Sequence, residues 1–200
     1  MPRLKDEEKR TLIMNTSKRL ISKNGFHNTS ISDIVNATGL PVGTIYTYFR
    51  NKEDIIETIV EIGWNEFYSG LKNIVQRQGD PLVRLRLIVD QVIPQLISDV
   101  DLINILLTEG VTFTGLEDKI DKITDIIHST IHEIMKRTKQ EDSVSRSYMR
   151  TAIVVFFLGI LNSVKLSRSK KIGLNYESII SFLKVTISQS LGVDIWKDTE

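Results

Sequence analysis

Apolar residues recur along nearly the whole chain at the three- and four-residue spacing of an α-helix. Ile13, Ser17, Leu20 and Ile21 share one face of a first helix. Asp6 is expected to cap it, with Glu7 and Glu8 in the first turn, and Gly25 to stop it. Ser30-Ile31-Ser32-Asp33 reads as a capping box with Asp in place of the usual Glu. The short run Ile31, Ile34 and Val35 follows, and Gly39 ends it. Pro41 opens a second short helix through about Tyr48, with Ile45 and Phe49 on its apolar side. Residues 51 to about 77 form a long helix in which Ile55, Ile56, Ile59, Val60, Gly63, Trp64 and Phe67 repeat with helical spacing. Gly79-Asp80-Pro81 is a stop followed by an N-cap and a proline at the first helical position. The next helix is expected to run to about Val100, kinked or broken near Pro94. A short helix at 101–107 and a loop at 109–115 precede Leu116–Thr138, whose stripe is Leu116, Ile120, Ile123, Ile127, Ile131 and Ile134. Two further helices, 143–166 and Tyr176–Leu191, flank a polar segment at 167–175. No stretch has the alternation of a strand, and no internal repeat is present. The pattern predicts an all-α protein of about nine helices, divided into residues 1–50 and 51–200.

Composition supports that reading. The 200 residues are 41% hydrophobic and 26% charged, with four Pro, eleven Gly and no Cys. Few helix breakers favour long helices, and the lack of cysteine removes disulfides and thiolate metal sites. The N-terminal residues have no apolar run of the secretory type. The most apolar stretch, 152–161, is about half the ~20 residues a bilayer crossing needs, so it is expected to be a buried helix. A cytoplasmic protein without a membrane partner is the expectation. Charge is uneven: residues 1–54 hold nine Lys/Arg and six Asp/Glu, a net +3, and the remainder 17 and 19, a net −2. That sign suits an N-terminal part that meets phosphate.

Two short helices joined by a glycine-containing turn, 30–49, match a helix-turn-helix, in which the second helix enters the major groove by its N-terminal residues. Val42, Gly43 and Thr44 are small enough for close approach, and Val42 or Thr44 can meet a thymine methyl. Tyr46, Tyr48 and Lys52 can reach phosphates, and helix starts near Ser30 and Lys52 offer backbone N–H groups. Ser30, Pro41, Val42, Gly43, Thr44, Tyr46, Thr47, Tyr48 and Lys52 are therefore the candidate DNA contacts.

The runs Gly25-Phe26-His27-Asn28-Thr29-Ser30-Ile31-Ser32-Asp33-Ile34-Val35, Thr38-Gly39-Leu40-Pro41-Val42-Gly43-Thr44-Ile45-Tyr46-Thr47-Tyr48-Phe49 and Asn51-Lys52-Glu53-Asp54-Ile55 closely resemble the TetR family of repressors. The resemblance covers about the first 60 residues. It departs where the family commonly has Ala at Val35, Ser at Pro41 and a polar or basic residue at Val42. Pro41 brings no capping hydroxyl and Val42 no hydrogen bond to a base. The resemblance implies a homodimer on a palindromic double-stranded operator, and a C-terminal helical domain for dimerisation and effector binding. It also implies release of DNA when a small effector shifts the helix at 51–77.

The last two helices are apolar over much of their circumference, more than one chain is expected to cover. Ala152, Val155, Phe156, Gly159 and Ser163 on one, with Ile179, Phe182, Leu183, Thr186 and Ile187 on the other, are the candidate dimer interface, and core packing is the alternative. Trp64, Phe67, Phe113 and Phe157 are candidate apolar linings of an effector site, with Gln91, Asn104 and Asn162 as interior polar candidates. The isoleucine- and leucine-rich middle suits a largely apolar effector, a fatty acyl compound or a hydrophobic drug. His128 and His132 have the i, i+4 spacing of a metal pair but lie off their helix's isoleucine stripe, which makes them solvated, so no metal or cofactor is expected. No nucleophile motif, phosphate-cradling glycine loop or acid–His cluster points to an enzyme. An effector-independent DNA-binding or architectural factor is the alternative to a ligand-responsive repressor.

Overall fold

Helix α1 spans Pro2–Asn24, and its end is set by Gly25, whose φ of +83° accompanies an N–H bond to the Ile21 carbonyl at 2.8 Å. The chain is a computed structural model describing residues 2–77, 79–109, 115–138, 145–168 and 173–197, with side chains from residue 6 onward. Asp6 does not cap α1. A proline is well suited to the first helical turn, and here the helix begins four residues earlier, at Pro2. The Asp6 carboxylate instead accepts a bond from the Tyr48 hydroxyl at 3.1 Å.

Helix α2 is Ile31–Thr38 and α3 is Val42–Tyr48. Ser30 and Asp33 form the expected reciprocal box: the Ser30 hydroxyl accepts from the Asp33 N–H, and the Asp33 carboxylate accepts from the Ser30 N–H at 2.8 Å. Gly39 closes α2 with φ +68°. Pro41 is the N-cap of α3 and supplies no side-chain bond. Helix α4 is Lys52–Arg77, begun by Asn51, whose amide oxygen accepts from the Asp54 N–H.

Pro81–Leu87 (α5) starts at Asp80, whose carboxylate accepts from the Leu82 and Val83 N–H groups. It continues without a gap through a π-helical turn, Ile88–Val92, into α6, Ile93–Ser98. The expected disturbance at Pro94 takes this form. Pro94 has no N–H for the Asp90 carbonyl, and the helix widens in the turn before the ring. The break that separates it from α7, Val100–Glu109, falls at Asp99, with φ −91° and ψ 82°. Helices α8 (Leu116–Thr138), α9 (Arg146–Ser167, capped by Ser145) and α10 (Tyr176–Leu191, capped by Asn175 and ended by Gly192) complete the chain. The expected start of α9 at Ser143 lies outside the described residues. With α5, the π turn and α6 taken as one rod, the described residues form nine helices and no strand.

Packing divides the chain into two units. The first is residues 1–65 with 100–113, and the second 66–99 with 114–200. The division falls inside α4 rather than at residue 50. In the first unit, Ile13 and Ile21 of α1, Ile34 of α2, Ile45 of α3 and Phe49 pack with Ile55, Ile56, Ile59 and Val60 of α4 and Leu102 and Ile105 of α7. Burying each such side chain stabilises by about 1.5–3 kcal/mol, so α4 and α7 are integral to the core of this unit. The second unit has one cluster around Leu71, Ile74, Ile88 and Val92, with Ile123, Ile126 and Ile127 of α8 against it. Another joins Leu85 and Ile134 to Leu191 and Ile195. Buried Arg84 makes a two-pronged bond to Glu133, at 2.8 and 3.1 Å.

Candidate DNA-binding interface and associated surfaces

Helix α3 holds its inner face by Ile45, fully buried, and leaves its outer face open. Pro41, Val42, Gly43, Tyr46 and Thr47 are exposed, and Thr44 is half-buried. Val42 is 52% and Tyr46 53% exposed, large values for apolar or aromatic side chains in a short helix. No acidic residue lies on α3 to repel phosphate. The Thr47 hydroxyl bonds back to the Gly43 carbonyl at 2.9 Å, leaving its methyl group outward-capable but its proton in use.

The supports of α3 are polar as well as apolar. The Ser30 hydroxyl and N–H hold the Asp33 carboxyl below its usual range, so the α2 cap is ionised at neutral pH. Burial, and then its bond to Asp6, raises the Tyr48 phenol above its ordinary value, so it acts there as a neutral donor. Arg10 lies over the Phe49 ring, 5.6 Å from its centroid. Lys52 points inward: its ammonium donates to the carbonyls of Phe26 at 2.6 Å and Thr29 at 2.7 Å. The nine candidate contacts thus separate. Pro41, Val42, Gly43, Thr44, Tyr46, Thr47 and Tyr48 lie on α3 or at its start, and of the nine Ser30, Thr47, Tyr48 and Lys52 have polar groups engaged within the head.

Residues 13–59, which contain all of α2 and α3, match the family described as bacterial regulatory proteins, tetR family. Residues 13–59 are thus a TetR-family segment. Over 79 residues it is 28% identical to the fatty acid metabolism regulator protein of Bacillus subtilis, covering 40% of this chain. The match spans 41% of that regulator's length, and 36% and 44% of two other curated regulators. A longer match, 22% identical over 149 residues, is to the nucleoid occlusion factor SlmA of Photorhabdus laumondii, covering 72% of this chain and 75% of that one. Among solved structures, the regulator FadR of Bacillus subtilis, in complex with stearoyl-CoA, superposes with a TM-score of 0.65 at 19% identity, over 90% of this chain and 94% of that one. At that identity the likeness is one of fold.

The candidate effector residues do not gather in one unit. Trp64 and Asn104 fall in the first, and Phe67, Gln91 and Phe157 in the second. The Asn104 amide donates to the Ser22 hydroxyl of α1 at 3.1 Å, and its oxygen has no partner, so it joins α7 to α1. Gln91 is exposed on the π turn, and Asn162 turns back on its own helix to the Leu158 carbonyl. Phe67 packs against the Leu71 cluster. Phe113 lies outside the described residues.

Helix α9 differs from the expected buried helix. Only Leu161 and Val164 are buried in it, while Val155, Phe156, Leu158 and Leu166 are exposed. By length and composition it is the one helix among the described residues apolar enough to cross a membrane. Its Arg146 and Arg150, however, pair with Asp121, Asp125 and Glu117 of α8 at 2.8–3.6 Å, which sets it beside a charged helix. On α10, Ile179 and Leu183 are buried against their own chain, whereas Phe182 (61%) and Val185 (51%) are open. Ala152, Ser163 and Thr186 are half-buried. The open face is therefore Val155, Phe156, Leu158 and Gly159 with Phe182 and Val185. Leu158 and Val185 were missed because both faces of α10 and most of α9 are apolar, and periodicity alone does not say which face the chain covers.

Proposed function

We propose that this protein is a ligand-responsive transcriptional repressor that binds a palindromic operator as a homodimer and leaves it when a small, largely apolar effector binds. The observation that carries the reading is α3 itself: a short helix buried on one side by Ile45 and presenting Val42, Tyr46 and Thr47 on the other, within the segment that matches the family. Such a face is shaped for the major groove, with Val42 and Thr44 toward base edges and Tyr46 toward phosphate. The open apolar face of α9 and α10 supports the dimer, because a patch of that kind is costly to leave in water.

A fatty acyl thioester is the favoured effector class. The FadR that superposes on this chain is bound to stearoyl-CoA, and a curated relative is named for fatty acid metabolism. The core of the second unit is rich in aliphatic side chains, Leu71, Ile74, Ile88, Val92, Ile123, Ile126 and Ile127, surroundings suited to a hydrocarbon chain. A retained operator fragment, titrated in a mobility-shift assay with CoA, a long-chain acyl-CoA and the free fatty acid, tests this. Release by the acyl-CoA alone is expected, and indifference to all three would remove the acyl class.

A second reading, an effector-independent DNA-binding factor, is favoured by the extent of the match to the nucleoid occlusion factor. Ligand-triggered release separates the two.

A further inference from the structure

Three elements of the first unit meet at one residue. Phe26 lies in the turn between α1 and α2. Its carbonyl accepts a 2.6 Å bond from the ammonium of Lys52, the first residue of α4, which also donates to the Thr29 carbonyl at 2.7 Å. The same ammonium stands 4.1 Å from the centroid of the Phe26 ring. The Phe26 N–H donates to the carboxylate of Glu109, the last residue of α7, at 3.4 Å. The turn is also closed on itself, by the Thr29 N–H to the Phe26 carbonyl at 3.2 Å and the Thr29 hydroxyl to the Gly25 carbonyl at 2.9 Å. Thr29 is buried.

An ammonium has three donors. Two of those on Lys52 are directed at carbonyls, and its charge faces an aromatic ring. Turning it out to a phosphate would break two charge-assisted bonds to make one. Helix α2 begins at Ile31, two residues beyond Thr29, and Ile34 of α2 and Ile45 of α3 share one core. A displacement of the turn is thus delivered through rigid packing to the recognition helix.

We infer that Lys52 is a positioning residue and not a phosphate contact, and that Lys52 at the Phe26 carbonyl and Glu109 at the Phe26 N–H together clamp the backbone of Phe26 so that the turn moves with both α4 and α7. The inference rests on the reading of the first unit as a DNA-binding head, and one arm of its test needs no DNA.

The test uses the full chain with Lys52→Met, Glu109→Gln and both together. Amide exchange is followed by mass spectrometry in peptides covering residues 25–30, with α10 peptides reporting global opening. Glu109→Gln is expected to speed exchange at 25–30 by about tenfold, the size of one charge-assisted bond, and Lys52→Met, which removes two, by more than that. The double variant should gain less than the product of the two. Lys52→Met should leave the slope of log affinity against log salt for duplex DNA equal to wild type. Unchanged exchange at 25–30, or strictly multiplicative effects, overturns the clamp. A salt slope shallower by about one phosphate overturns the positioning role. If Lys52→Met exchanges faster throughout, α10 included, Glu109→Gln alone decides by the same criterion. A wild-type protein that binds no duplex defeats the functional reading while the exchange arm still decides the clamp.

Discussion

Gly63 of α4 lies directly against Leu102 of α7: a β-carbon placed on Gly63 would overlap Leu102 Cδ2 and stand 3.3 Å from Cδ1. Leu102 is a core residue, 5% exposed, so its side chain has little room to turn aside. The two helices therefore meet where a β-carbon on Gly63 would require Leu102 to shift. Gly63→Ala should gain helix propensity, about 1 kcal/mol, but lose more to overpacking, about 1–3 kcal/mol. A net destabilisation of about 1 kcal/mol in urea unfolding is expected, and Leu102→Val in the same chain should recover part of it. A Gly63→Ala protein more stable than wild type would show that the crossing relaxes freely.

The open face of α9 and α10 makes a prediction about assembly. A β-carbon on Gly159 would meet nothing within 4 Å, so Gly159→Glu is accommodated by the single chain. In a dimer built on this face the carboxylate would be buried without a partner, costing several kcal/mol. Sedimentation should show a folded monomer for Gly159→Glu and for Phe182→Glu. A dimer of unchanged affinity would move the interface to another surface.

Specificity and affinity should separate along α3. Tyr46 is half exposed and offers a hydroxyl, so Tyr46→Ala should weaken binding to all duplexes alike. Thr44→Ala should instead change the preference among operators, by about 1–3 kcal/mol at the base pair it meets. Competition between the selected operator and single-base variants of it distinguishes the two. Equal losses across every duplex for Thr44→Ala would contradict a base contact.

Acid should loosen the caps. Asp33, held down by Ser30, and Asp54, held down by the Arg50 N–H and then its side chain, both have folded-state values below the ordinary one. Partial burial pushes Asp80 up, but the Leu82 and Val83 N–H groups and Arg137 outweigh it, and it too is lowered. A depressed folded value means that the unfolded chain takes up protons first as pH falls. The stabilisation is full above the unfolded value of about 3.9 and is lost as pH drops through the folded ones. Thermal melts from about pH 6 to about pH 3 should show the Tm gap between wild type and Asp33→Asn closing at the acid end. A gap constant across that range would mean that the Asp33 charge does not contribute.

Local rules carried most of the fold. The Ser30–Asp33 box, the left-handed Gly39, the Asp80 cap ahead of Pro81 and the ends of α8 and α10 depend on residues within a few positions of one another, and the sequence displays them directly. What it does not display is pairing between distant residues. Asn104 has the look of an interior polar group, but its partner is Ser22, 82 positions away. Lys52 reads as a phosphate ligand, and nothing near it in the sequence shows that its ammonium bonds the Phe26 and Thr29 carbonyls. Ile179 and Phe182 belong to one apolar pattern, and only tertiary packing against α9 and the π turn decides that the first is buried and the second open.

The central claim is that α3 reads DNA as part of a dimer. The most direct test is retention of a genomic fragment library by the purified protein at two salt concentrations, with sequencing of the bound fragments. The account predicts enrichment of one palindromic sequence, with half-sites spaced by about one helical turn and occupancy that falls as salt rises. Retention of all fragments alike, or of none at either salt, would contradict it.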